Sequence, residues 1–185
     1  MVERHGALRH CIQKQKIIKL LDPNLLACTE HERLLEALAN SRAWIDFTQG
    51  LDIRLLSKDN MRLLNQLKIK IIHFVWDLEK YSDTILKNLE LVKNTTTLDI
   101  RKISVYLLVN YNTSFDFDLY RINTLRRFGY DPYVMVYNRF SADKKYLSLQ
   151  RWVNFKQIWR TVETFEEYSR NHKEAITNSA QIQLF

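Results

Sequence analysis

The sequence predicts an α/β protein, a partial (β/α) barrel of about five to six parallel strands with helices on the outside. Three observations carry this. Short apolar runs recur at Ile17–Asn24, Trp44–Gln49, Ile71–Asp77, Ile103–Asn112 and Tyr133–Asn138, with starts 27, 27, 32 and 30 residues apart. The segments between them carry apolar residues at helical spacing. Each run ends in polar residues, as strands do where they pass into turns. Such an array gathers its chemistry at the carboxyl ends of the strands.

Each element has a local reason. Ile17-Ile18-Lys19-Leu20-Leu21 is the first strand, closed by Asp22-Pro23-Asn24 because proline has no N–H to extend a ladder. Thr29 and Glu32 read as a capping box for a helix whose stripe is Leu34, Leu35 and Leu38. Trp44-Ile45-Asp46-Phe47-Thr48 is the second strand, running into Gln49-Gly50-Leu51-Asp52-Ile53-Arg54. Ser57 is the next N-cap, and Leu63, Leu64 and Leu67 give that helix its inner face. Ile71 to Trp76 is the third strand, ended by Asp77 and followed by a helix from Ser82 to Lys93.

Ile103 to Val109 is β-branched and nearly continuous, which predicts a strand covered on both faces. A helix from Phe117 to Phe128 stops at Gly129, and Asp131-Pro132 leads into the fifth strand, Tyr133 to Tyr137. Ile158-Trp159-Arg160 reads as a sixth short strand and Val162 to Arg170 as a closing helix.

Length and composition bound the rest. The chain has 185 residues, 46% apolar and 26% charged, enough for one core. Residues 1–176 read as a single, incomplete barrel and 177–185 as a patternless tail expected to be disordered. No run approaches the ~20 apolar residues of a membrane span, and Met1 to Leu8 is too polar for a signal peptide. A cytoplasmic protein with no membrane contact is therefore expected. The net charge of +7 speaks to association with anions, not to fold. Cys11 and Cys28 fit no compact metal motif, and neither they nor His5 and His10 compose a convincing metal site.

Familiar catalytic signatures are missing: no glycine-rich phosphate loop, no Gly-x-Ser-x-Gly elbow and no His-Glu-x-x-His occurs. His73, inside the third strand, is expected to pack in the core. The strand ends instead offer Asp22, Asn24, Thr48, Gln49, Asp52, Arg54, Asp77, Asn110, Asn112 and Asn138. Carboxylates and amides suit ribose hydroxyls and an ammonium group, and the Arg54 fork suits a carboxylate. The opposing explanation is that Asp and Asn follow strands because they start turns. A separate basic stretch, Arg139, Lys144, Lys145, Arg151, Lys156 and Arg160, alternates with Tyr146, Trp152, Phe155 and Trp159 and offers a non-catalytic alternative, a nucleic-acid interaction module. The blander expectation there is aromatic core with solvated charge, so nucleic acid is not expected as a partner.

Several segments carry a family resemblance. They are Leu21-Asp22-Pro23-Asn24-Leu25-Leu26-Ala27, Asp46-Phe47-Thr48-Gln49-Gly50-Leu51-Asp52-Ile53-Arg54, Ile72-His73-Phe74-Val75-Trp76-Asp77, Gly129-Tyr130-Asp131-Pro132-Tyr133-Val134-Met135 and Arg151-Trp152-Val153-Asn154. In this order they resemble the C-terminal portion of a bacterial radical S-adenosylmethionine protein, over roughly Lys19 to Tyr168.

The resemblance implies a partial barrel binding S-adenosylmethionine across its carboxyl-end rim, with Thr48, Gln49, Gly50, Asp52 and Arg54 toward ribose and methionine. Asp77, Asn110 and Asn112 would stand nearer adenine or substrate. It also implies a [4Fe–4S] cluster held by Cys-x-x-x-Cys-x-x-Cys. This chain lacks that triplet, and two cysteines 17 positions apart cannot replace it. The expectation is thus a truncated or split protein, inactive by itself. It would need a cysteine-bearing partner chain, or would self-associate through the strand edge at Ile17–Leu21. A non-catalytic pocket for a nucleoside-like ligand is the alternative.

Overall fold

A computed structural model describes residues 15–22 and 24–170. Pro23, Cys11, His5, His10 and the tail at 177–185 lie outside the described residues. Five strands form one sheet: β1 (Ile17–Leu20), β2 (Trp44–Leu51), β3 (Lys68–Val75), β4 (Ile103–Val109) and β5 (Asp131–Val136). Their order in the sheet equals their order in the chain, and every pairing is parallel. Between and after them come α1 (His31–Ser41), α2 (Lys58–Leu64), α3 (Ser82–Thr95), α4 (Phe115–Phe128), α5 (Lys144–Asn154) and α6 (Lys156–Thr161). Residues 165–170 are also helical. The α/β class, the parallel sheet and the flanking helices are those read from the sequence. No helix among the described residues is long and apolar enough to cross a membrane.

Right-handed crossovers between adjacent strands place successive helices on one face of the sheet. Burial agrees. Ile103, Val105, Leu107 and Val109 are buried, whereas Ser104, Tyr106 and Leu108 between them are only half-buried. The buried set joins Ile45, Phe47, Ile72, Phe74 and Val134 with Leu35, Leu64, Leu89, Ile122, Leu125 and Leu149 of the helices in one core. The expectation that β4 is covered on both faces is therefore corrected. Its continuous apolar run supplies a core on one side and a half-open surface on the other. His73 sits on that second surface, half-buried, and not in the core.

Other local readings change as well. The Ile158-Trp159-Arg160 segment is helical, within α6, and among the described residues the sheet stops at β5. The physical reason is visible at the β5 edge. Asn154 of α5 takes the place of a neighbouring strand: its Oδ1 accepts the Val134 N–H (2.8 Å) and its Nδ2 donates to the Val134 carbonyl (2.9 Å). Gln150 adds a second donor to that carbonyl at 3.0 Å. Pro132 sits within this strand, tolerated because β5 is an edge.

The Thr29 capping box does not form; α1 begins after Glu30, with no side-chain cap. Instead the His31 ring reaches the Cys28 carbonyl (2.7 Å) and the Asn60 side chain (3.1 Å). Ser57 caps α2 as expected, accepting the Asn60 N–H at 3.1 Å. Gly129 closes α4 at a φ of 85°, a left-handed value at which glycine carries no Cβ penalty.

Candidate ligand cleft at the strand carboxyl ends

Parallel strands of similar length end on one rim, and there the polar residues that follow β1, β2 and β3 meet. A cleft of about 240 Å³ is lined by Asn24, Gly50, Asp52, Arg54, Val75, Asp77, Leu78, Tyr81 and Ile85. Of the sequence-predicted residues it gathers Gly50, Asp52, Arg54 and Asp77, and it adds Asn24, which was noted at the end of the first strand.

The β2 end is held by hydrogen bonds. Asp52 accepts the Arg54 backbone N–H (3.0 Å), opening a 3-10 turn, and grips the Arg54 side chain with both oxygens (2.8 and 2.5 Å). The Arg54 guanidinium also lies over the Tyr81 ring, 4.3 Å from its centre. Ile53 is fully buried, and two buried amides hold the turn's carbonyls. Asn88 donates to Ile53 at 2.7 Å and Asn60 to Leu55 at 3.2 Å. Hydrogen bonding to Arg54 holds the Asp52 carboxyl below its ordinary pKa, and the same pair raises that of Arg54.

Gly50 has a packing reason. A Cβ there would stand 2.3 Å from Val75 Cγ2 and 3.5 Å from the Tyr106 ring. The missing side chain lets β2 approach β3 closely at an irregularity in register between Phe47 and Leu51.

Asp77 follows β3. Its Oδ1 accepts the Leu108 N–H (2.8 Å), tying it to β4. Burial pushes its carboxyl pKa up, opposed by that hydrogen bond and by the charge of Arg121. Asp77 is thus the carboxylate of the cleft with most to gain from a cation.

Beneath this end lies a buried ion pair that the sequence reading missed. Arg121 and Asp118 are both fully buried in α4 and bonded to one another. Arg121 donates to the Trp76 carbonyl and to the Leu108 carbonyl (2.9 Å), while Asp118 accepts the Asn110 N–H (3.0 Å). The pair therefore satisfies backbone groups at the ends of β3 and β4. The signal was available: Asp118 and Arg121 fall in helical phase with the core residues Ile122 and Leu125.

The remaining sequence candidates stand elsewhere. Asn110 and Asn112 adopt left-handed φ values of 62° and 53°, as does Asn138 at 45°. The Asn110 side chain donates to the Tyr137 carbonyl at 3.2 Å, bridging the ends of β4 and β5. Turn geometry accounts for these asparagines. Thr48 turns back to donate to Asp46 (3.0 Å), and Gln49 is exposed at the rim. In the basic stretch, Tyr146, Trp152 and Trp159 are buried, which leaves Phe155 as its exposed aromatic.

Two cysteines cannot hold a cluster that needs closely grouped thiolates. Cys28 is half-buried in the turn after β1, and no group of three His, Cys, Asp or Glu side chains suited to a metal exists among the described residues. The residues do not fit a [4Fe–4S] centre. Compared with protein-family models, with curated proteins and with solved structures, the chain matches none.

Proposed function

We propose that the carboxyl-end cleft binds S-adenosylmethionine, or a nucleoside carrying an amino-acid group, and that this chain contributes the binding half of a radical S-adenosylmethionine-type enzyme. The observation that carries the reading is the convergence of Asn24, Asp52, Arg54 and Asp77 on one cleft with apolar walls from Val75, Leu78 and Ile85. When bound, that ligand supplies a zwitterionic head, a positive sulfonium and a ribose with two hydroxyls. Arg54, already oriented by Asp52, suits the carboxylate; Asp77 suits a positive centre; Asn24 suits a hydroxyl. The apolar walls exclude water from the carbons beside the sulfonium. These 185 residues hold two cysteines, too few for a cluster, so reductive chemistry would require cysteine ligands from outside them.

Calorimetry with S-adenosylmethionine, S-adenosylhomocysteine, adenosine and methionine tests this. The sulfonium compound should bind more tightly than its uncharged homocysteine analogue, and Arg54→Gln and Asp77→Asn should each weaken it. Because a bound cation favours ionised Asp77, affinity should fall as pH drops through that group's raised pKa, and Asp77→Asn should remove this dependence. No heat at ~1 mM ligand, the edge of meaningful affinity at about 4 kcal/mol, ends the proposal.

A further inference from the structure

The face of the sheet opposite the helices carries a pattern that the cleft does not use. Register places its side chains. Ile17 pairs with Trp44 and Trp44 with Lys68; Lys19 pairs with Asp46 and Asp46 with Ile71; His73 pairs with Ser104, and Tyr106 with Tyr133. Paired residues in a parallel sheet point the same way.

His73 and Tyr106 stack at 4.4 Å, and Tyr106 meets Tyr133 at 5.6 Å. Tyr133, at one end of this stack, and Trp44, on the same face at the start of β2, are each 46% exposed and present open rings. All-parallel sheets ordinarily have both faces covered. The charge beside the rings is mostly positive. Lys19 and Lys68 are exposed, the Lys102 ammonium sits 5.1 Å from the centre of the Trp44 ring, and Lys70 lies 3.6 Å from Asp46. Asp131, the other carboxylate on this face, is matched by Lys156 at 3.1 Å.

We propose that this sheet face, helix-free among the described residues, binds single-stranded nucleic acid, with bases stacking on Trp44 and Tyr133 and the phosphates meeting Lys19, Lys68, Lys70 and Lys102. Flat rings on a rigid sheet, with cations at their margin, are the combination that single strands exploit without base-specific contacts. Burial lowers the His73 pKa, which keeps its ring neutral near pH 7 and suited to supporting Tyr106 as a stacked partner. Among the described residues this surface shares Gly50 and Val75 with the carboxyl-end cleft, and the proposal stands independently of the cleft's ligand.

Tryptophan emission reads the contact directly, since Trp76, Trp152 and Trp159 are buried and Trp44 is exposed. Titrating the full chain with an oligothymidine octamer at low salt should quench that emission. Affinity should fall with a log–log salt slope of ~−2 to −3, as three or four lysine–phosphate contacts require. Tyr133→Ala should weaken binding about fivefold or more by loss of one stacked base. Lys68→Glu with Lys70→Glu should flatten the salt slope, and Trp44→Phe should remove the quench while the octamer still binds by fluorescence anisotropy. Near-UV circular dichroism matching the parent shows that each variant is folded.

No binding at ~100 μM octamer in low salt overturns the proposal, as do equal affinity for duplex or for thymidine monophosphate, or variants that bind like the parent. Elution as a dimer with Trp44 shielded before any ligand is added also overturns it, because a second copy would then own the face.

Discussion

The two edges of the sheet are finished differently. At β5, the Asn154 amide occupies both hydrogen-bonding positions of Val134, and Gln150 reinforces the carbonyl. Behind that edge stand α5 and α6, packed through the Trp152–Trp159 pair and gripped by Arg126, which donates to carbonyls of Trp159, Val162 and Glu163. At β1, among the described residues, only four pair, on one side, with Leu21 70% exposed beside them. One edge is closed by side chains that imitate a strand; the other, among the described residues, keeps backbone groups that a strand would satisfy. The lesson is that a sheet's end is specified as much by a helix amide as by a turn.

Four changes test that contrast. The largest effect belongs to Arg121→Met, which strands Asp118 in the core and frees the ends of β3 and β4; about 3–5 kcal/mol should be lost in urea unfolding. A loss under 1 kcal/mol would mean the finished half does not depend on this pair. Asn154→Ala should cost about 1–3 kcal/mol by uncovering the Val134 amide and carbonyl, and should raise light scattering as a second open edge appears. If scattering is unchanged, the amide is no edge guard.

Asp52→Asn should cost roughly 0.2–1 kcal/mol at neutral pH, as exposed pairs do. Asp52 has a folded pKa below its ordinary 3.8, so its contribution is present above that value and is lost as pH falls through the folded pKa. The variant and parent should therefore converge in acid. Smallest is Leu21→Lys, within about 0.5 kcal/mol of the parent in stability. Its readout is association: light scattering of the parent, if it arises at β1, should decline. In hydrogen exchange on the unmodified chain, β1 amides should open first and β4 amides last.

Much of this was legible from residues alone. The spacing of apolar runs located all five strands, and Ser57 and Gly129 marked helix ends through chemistry that acts within a few residues. Asp52, Arg54 and Asp77 were legible as rim residues because parallel strands put their ends together. What escaped were long-range choices. Ile158-Trp159-Arg160 has strand propensity, yet Asn154 had already closed the sheet, so burying Trp159 against Trp152 on a helix won. Asn110 and Asn112 do not line the cleft, and their left-handed turns select the same residue type that a ligand site would. The apolar run of β4 concealed its two different faces, since Tyr106 and Leu108 continue the largely hydrophobic run of their buried neighbours. Gly50 was noticed for its motif, while its cause, the Val75 methyl, lies 25 positions away.

Strand order that copies chain order has a kinetic consequence. Every sheet pairing closes a loop of about one βα unit, so the entropic toll of each closure is nearly the same, and no pairing waits for a distant one. Assembly can then proceed by accretion, each unit templating the next, in the manner of a solenoid. Grafting a further strand–helix unit ahead of Lys16 would lengthen the series without redrawing any existing closure, whereas the same graft after Val136 would first have to evict Asn154.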